Sequence, residues 1–330
     1  MKAIIWTAYG GPEVLQLQEV DKPQPLDNEV LIKIHATSVT AGDCETRTLK
    51  LPMGIGLLMR LFVGIGKPKN ILILGQEFSG EIETVGKDVS LYKPGDQVFG
   101  GTGLTKGTYA EYVCLPENPD EGVLASKPSN MTYQEAAAVT TGGLEALHFL
   151  RLANLQPGQQ LLIIGAGGSI GTFGVQLAKM YGAEVTTVDS GDKLDMLLSI
   201  GADKVIDYTK EDFTSSGQIY DVIFDVVGKS PLSRSLKSLK EEGIYLMANP
   251  RVGNMIWGNL VSRLSKKQVI HEMNQQKTAD LIHLKELIEA GKIKTVIDRT
   301  FSLEQIAEAH RSVESGAKKG NLTITVSHDN

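Results

Sequence analysis

The stretch LLIIGAGGSIGTFGVQLAK, Leu161 to Lys179, admits few folds. Apolar residues run into four glycines, Gly165, Gly167, Gly168 and Gly171, and a helical pattern follows at once. A continuous apolar strand is buried on both faces, and a helix starting directly behind it covers one of them. The turn between them leaves the first helical N–H groups without intrahelical partners. Two readings follow. The amides hold the pyrophosphate of a dinucleotide, or the glycines only let helix and strand pack closely. The string is not a plain G-x-G-x-x-G, because Ile170 stands where the third glycine falls when counting from Gly165. Gly168 and Gly171 supply G-x-x-G at the helix start, with Ser169 and Ile170 between them.

The next strand favours the dinucleotide. EVTTVDS ends at Asp189, where a carboxylate accepts hydrogen bonds from an adenosine ribose or caps a helix over 192–199. Its charge opposes a 2′-phosphate, while Ser190 and Lys193 just beyond favour one. Lys193 also reads as an ordinary exposed helix residue. The choice between NADP(H) and NAD(H) stays open at this level.

The chain has 330 residues, room for two domains. Before residue 125 it reads as short strands, among them VLIKIHATSV and DQVFG, punctuated by KPQPLDN and YKPGD. This is the texture of a small barrel. TYQEAAAVTTGGLEALHFLRLANL, Thr132 to Leu155, reads as helix with a capping box at Thr132 and Glu135 and a break at Gly142 and Gly143. Apolar strands and helices then alternate to about residue 250, the pattern of a parallel sheet covered on both faces. The tail returns to the texture of the front, so the parallel-sheet domain reads as an insertion. The expected boundaries are 1–125, 126–275 and 276–330.

Net charge is −6, which argues against general nucleic-acid binding. Two cysteines, Cys44 and Cys114, offer no disulfide framework and no structural zinc cluster, consistent with a reducing compartment. The start, MKAIIWTAYGG, reads as a strand and not as a signal peptide, so a cytoplasmic protein is expected. LPMGIGLLMRLFVGIG, Leu51 to Gly66, is too short and glycine-rich for a membrane span and reads as an apolar lid or substrate wall, with peripheral membrane contact as the alternative.

In order, MKAIIWTAYGGPEVLQL, GQEFSGEIETVGKDVSLYKPGDQVFG, AAAVTTGGLEAL, GAGGSIGTFGVQLAK, GADKVIDYTKEDF, YDVIFDVVG and FSLEQIAEAHRSVESGAKKG resemble the zinc-free, quinone-oxidoreductase branch of the medium-chain dehydrogenase/reductase superfamily. The resemblance covers nearly the full length. It implies an α/β fold, a Rossmann doubly wound parallel sheet inserted into a mostly-β GroES-like barrel domain. It implies that Gly165 to Gly171 bind the pyrophosphate, that Ser190 and Lys193 sit where relatives hold a 2′-phosphate, and that Tyr208 lies beside the adenine. Thr141 and Val226 to Gly228, with Val227 at their centre, fall on the nicotinamide side. Asn249, Lys319 and Asn321 resemble the rest of the cofactor wall. A homodimer is also implied. The sequence departs from the family at Asp189, where these reductases carry a small residue, and at Thr40, where many carry Asn.

By the same resemblance, the zinc ligands of metal-dependent members align with Thr40 and Gln76, neither a good zinc ligand in that role. Cys44 reads as a buried or wall residue, Glu77 as a partner of the barrel or of an Arg, and the six histidines as scattered surface or core-edge residues. No zinc is expected. Acceptors that delocalise charge, quinones and α,β-unsaturated carbonyls, need less polarisation than a simple ketone. Thr40, Asp43 and Gln76 are the expected substrate-pocket contacts, with Arg47 in the outer wall. Two alternatives stand beside this reading. One is a zinc-independent alcohol or aldehyde oxidoreductase. The other is a cofactor-binding protein with little turnover, acting as a sensor or binding RNA or a partner.

Overall fold

The computed structural model describes residues 1–49, 55–70, 72–103 and 106–328, with only the backbone of 55–58. Its contacts form two compact units: Met1–Thr141 with Gln276–Glu289 and Thr295–Asn330, and Gly142–Gln275 with Ala290–Lys294. Residues 126–141 thus pack with the β-rich unit.

The β-rich unit opens with β1 (Lys2–Trp6), β2 (Leu15–Glu19) and the long β3 (Glu29–Val39). Two helices interrupt the strands, α1 (Ala41–Thr48) and α2 (Ile55–Val63). Then come β4 (Glu77–Val85), β5 (Gln97–Gly101), β6 (Tyr112–Pro116), β7 (Val123–Ser126) and α3 (Tyr133–Ala137). The second unit begins within α4 (Thr140–Leu152). It continues with β8 (Gln160–Ile164), α5 (Ser169–Met180), β9 (Glu184–Asp189), α6 (Leu194–Ser199), β10 (Lys204–Asp207) and β11 (Tyr220–Asp225). It ends with α7 (Leu232–Ser235), β12 (Leu239–Met247), α8 (Val252–Leu264) and β13 (Gln268–Ile270). The chain then returns to the first unit for α9 (Thr278–Glu289), β14 (Ile297–Ser302), α10 (Ile306–Glu314) and β15 (Asn321–Thr325).

In the first unit β14, β15, β3, β4, β5 and β7 lie side by side, and β6 also pairs with β3. Register shifts between β3 and β4, at Leu31/Ile32 and Ile34/Ala36, bend this sheet. Alternation along the strands sends Ile32, Ile34, Phe78, Leu322 and Ile324 into one core with Trp6 and Tyr109.

The second unit is a parallel sheet in the order β10-β9-β8-β11-β12-β13. Runs such as LLII and VIF are buried on both faces, as helix-covered parallel strands require. Strand order reverses between β8 and β11, so a crevice opens at their carboxyl ends, where doubly wound sheets take ligands.

Some expectations change. The 132–155 helix is two helices. The Thr132–Glu135 capping box starts α3 as expected, but the break falls at Ala138 and Val139. Gly142 and Gly143 are inside α4. A Cβ on Gly142 would stand 2.9 Å from the Ser169 carbonyl oxygen, so that glycine serves close packing rather than a break. Of the apolar 51–66 stretch, 51–54 lie outside the described residues and the rest holds α2.

Candidate active site

The glycine turn ties itself to β9 before it offers anything to a ligand. Gly165 N–H and Ala166 N–H both donate to the Val188 carbonyl, at 2.9 and 3.4 Å. Gly167 N–H donates to Asp189 Oδ2 at 2.7 Å. The amides that open α5 begin at Gly168, its N-cap, a residue with no side chain of its own to cap them. They sit at the positive end of the helix dipole, the arrangement that attracts phosphate.

The glycines have separate tasks. Gly165 has φ 79°, and a Cβ there would lie 2.1 Å from Val227 Cγ2. A Cβ on Gly171 would stand 2.4 Å from Ala166 Cα, so helix and turn touch backbone to backbone. Around Gly168 the nearest atom to such a carbon is 3.9 Å away. That position is open space at the start of α5, and it fits a pyrophosphate.

Asp189 already has partners within the fold. Its Oδ1 accepts Ser190 N–H at 2.8 Å and lies 3.0 Å from Lys193 Nζ, while Oδ2 holds Gly167. Both Asp189 and Lys193 are buried. The carboxylate braces the glycine turn, and the ammonium compensates its charge. Lys193 is therefore not an exposed helix residue. Ser190 Oγ donates to Asp192 Oδ1 at 2.6 Å, and Tyr208 is exposed just past β10.

A second turn follows β11. Val227 N–H and Gly228 N–H donate to Asp225 Oδ1 at 3.1 and 2.8 Å, and Tyr245 Oη donates to Oδ2 at 3.0 Å. Asn249 Nδ2 donates to the Val226 carbonyl at 2.7 Å. Burial raises the Asp225 carboxyl above its ordinary range, and these donors oppose the rise. Val227 remains 40 % exposed on the rim of a rigid turn.

In the β-rich unit, Thr40 caps α1. Its hydroxyl and N–H donate to Asp43 Oδ2 at 2.7 and 2.8 Å, and Asp43 N–H returns the bond at 3.2 Å. The Thr40 hydroxyl is thus engaged in a capping box. Asp43 is buried, and desolvation raises its carboxyl. Tyr109, also buried, is driven well above the ordinary phenol range by desolvation and then by the Asp43 charge. Glu77 takes the Ser38 hydroxyl on Oε1 and Thr141 N–H on Oε2, the latter at 2.7 Å. Its partners are therefore not arginines. Burial pushes it up to about 7, Asp43 adds to the rise, and the two hydrogen bonds oppose it. Gln76 is half-buried, and its side-chain amide makes no hydrogen bond among the described residues.

Arg47 corrects an expectation. It is fully buried, not an outer wall: Nε donates to the Gly10 carbonyl at 3.0 Å, Nη1 to His310 Nδ1 at 2.9 Å, and Nη2 to Glu314. Cys44 Sγ lies 3.3 Å from the same His310 nitrogen. His310 is core, not core edge. Burial and the neighbouring guanidinium lower its imidazole to about 3, so it is neutral. Burial raises the Cys44 thiol to about 12, which leaves it a protonated, inert packing group. Asn321 is buried and donates to the Val296 carbonyl at 3.0 Å, and Lys319 is half-buried beside it. No cluster of three or more His, Cys, Asp or Glu able to hold a metal occurs among the described residues.

Comparison with known proteins gives two family matches. Residues 26–124 match an alcohol dehydrogenase GroES-like domain, and residues 200–324 match a zinc-binding dehydrogenase model. A 2-methylene-furan-3-one reductase of Solanum lycopersicum is 30% identical over 98% of this chain and 79% of its own length. The structure of a quinone oxidoreductase from Coxiella burnetii superposes with TM-score 0.87 at 30% identity, over 99% of each chain. That of an Escherichia coli quinone oxidoreductase complexed with NADPH gives TM-score 0.83 at 25% identity, over 98% of this chain and 100% of that one.

Proposed function

The chain belongs to the quinone-oxidoreductase, or zinc-free, branch of the medium-chain dehydrogenase/reductase superfamily, and from that premise we propose that it is an NAD(P)H-dependent reductase of quinones or α,β-unsaturated carbonyls. The observation that carries the reading is the glycine N-cap of α5 with open space at Gly168, at the reversal point of a doubly wound sheet.

Gly168 to Gly171 would hold the pyrophosphate through backbone N–H groups, and the Asp189 brace keeps them in place. When bound, the reduced nicotinamide supplies the hydride. The turn at Val226 to Gly228, stiffened by Asp225 and Asn249, would limit the depth of the ring. Lys193 compensates Asp189, so the bare repulsion of a 2′-phosphate argued from sequence does not apply; this supports NADPH.

On the acceptor side, the Gln76 amide has N–H groups to donate to a carbonyl or quinone oxygen as charge grows there. Thr40 and Asp43 fix the start of α1. They and Glu77 supply no thiolate or imidazole, so zinc lacks the N and S donors it favours, and conjugation in the acceptor takes the place of a Lewis acid. Solvent delivers the proton that completes the hydroquinone or the saturated carbonyl.

The second unit also supports a homodimer. β13 is the open edge of its sheet, and Ile256, Leu260 and Leu264 of α8 lie exposed at helical spacing. Light scattering that reads a monomer at micromolar concentration would contradict this.

The test of the reaction is oxidation of NADPH and of NADH against a quinone panel and an alkenal panel, with zinc analysed in the same sample. Turnover with conjugated acceptors in zinc-free protein supports the proposal. Turnover confined to alcohols, or dependent on stoichiometric zinc, overturns it.

A further inference from the structure

α2 has the sequence IGLLMRLFV, apolar all round with one charge. A helix of that kind is normally buried or in contact with lipid. Here it is buried on one side only. Val63 is fully enclosed in the core of the β-rich unit, and Met59, one turn earlier, packs against the same core. Tyr9 Oη donates to the Gly64 carbonyl, and Lys69 N–H and Asn70 N–H both donate to the Val63 carbonyl, which folds the following turn back on the helix. The other side is bare: Leu61 is 61% exposed, Phe62 50%, Ile65 73% and Leu72 46%.

The charges on this segment have one sign. From Leu51 to Gln76 the sequence holds three Lys or Arg and no Asp or Glu, in a chain of net charge −6. Arg60, Lys67 and Lys69 are exposed beside the apolar group. Arg60 lies over the Tyr9 ring at 5.3 Å, and none of the three pairs with an acid among the described residues. Apolar side chains that insert, ringed by long cations that reach outward, match an acyl boundary below an anionic headgroup layer. The net charge of the whole chain is −6, so an anionic layer favours approach by a cationic side such as this one.

We infer that α2 and the turn after it dock this protein on the surface of an anionic lipid bilayer. The docking inserts Leu61, Phe62 and Ile65 and places Arg60, Lys67 and Lys69 among the headgroups. The contact is peripheral: no helix among the described residues is long and apolar enough to cross a membrane. This inference does not rest on the dinucleotide or on turnover, and it is tested without either.

The full chain is sedimented with vesicles of phosphatidylcholine alone and of phosphatidylcholine mixed equally with phosphatidylglycerol. Binding is expected only to the mixture, and it should weaken as salt rises. Each cation near the surface contributes roughly fivefold. Lys67→Glu/Lys69→Glu should therefore lower the partition by more than about 25-fold. Leu61→Gln/Phe62→Gln should abolish it, and Leu198→Gln, at an exposed leucine of the second unit, should leave it unchanged. Circular dichroism melting confirms that each variant is folded. Phe62→Trp gives a second readout: its emission should shift to the blue and be quenched by brominated lipid in the mixed vesicles. Absence of binding, binding to phosphatidylcholine alone, or retention by both double variants overturns the inference. So does a rise in KM for the Leu61/Phe62 variant without any vesicle binding, which would make the segment a substrate flap.

Discussion

Replacing Glu77 with glutamine separates burial of a charge from the hydrogen bonds around it. The amide keeps the shape, its oxygen accepts Thr141 N–H, and its NH2 can donate to Ser38 Oγ. Only the ionisation is lost. Glu77 is raised from 4.5 to about 7 in the fold. Between these values the unfolded chain has released its proton while the folded chain still holds it. Stability therefore falls as pH rises through this window and levels off above the folded value. At about 1.4 kcal/mol per unit, the gap between the variant and the parent should widen by roughly 2–3 kcal/mol from about pH 5 to about pH 8. The variant is the more stable protein at the upper end. Urea unfolding at both pH values, with fitted slopes compared, measures this directly. A gap independent of pH, or one that favours the parent as pH rises, would refute the buried-carboxyl reasoning.

Three further outcomes are expected. Gly171→Ala puts a carbon 2.4 Å from Ala166 Cα and should cost about 1–3 kcal/mol in thermal or urea unfolding; a neutral substitution would show that α5 does not press on the turn. Thr40→Ala removes the side-chain half of the α1 capping box, leaves the Thr40 N–H bond to Asp43 in place, and should cost about 1 kcal/mol or more, because Asp43 also loses a buried hydroxyl donor. Asp189→Asn keeps an acceptor for Gly167 N–H, so NADH affinity measured by fluorescence titration should stay within about threefold; a charged hydrogen bond to the ribose would instead cost more than about tenfold.

The part of the site written in local sequence was legible. β8, the glycine turn and α5 follow from consecutive residues, because strand burial, turn geometry and helix start are all short-range effects. The capping box at Thr132 and Glu135 was legible for the same reason. What the residues do across the fold was less so. Asp189 stood at the right distance for a ribose; that its oxygens also meet Gly167, Ser190 and Lys193 depends on how β9 sits against the turn. Cys44, Arg47 and His310 gave no signal, since the histidine lies 266 positions beyond the cysteine and only α1 meeting α10 joins them. Gly142 and Gly143 read as a break by propensity, but packing of α4 against the start of α5 overrode it. The 51–66 stretch read as a lid or wall from its short apolar run, but which of its side chains face outward was not legible, since that depends on Val63 and Met59 meeting the core.

The central claim is that the amides opening α5 at Gly168 hold a dinucleotide pyrophosphate, and Gly168→Asp tests it most directly. The position has ordinary φ of −94° and space for a side chain, so the variant should fold with an unchanged or higher melting temperature. Its carboxylate would occupy the anion seat, and NADPH and NADH affinity should both fall by more than about 100-fold, as two like charges forced together require. A folded variant that binds either dinucleotide as tightly as the parent would contradict the account.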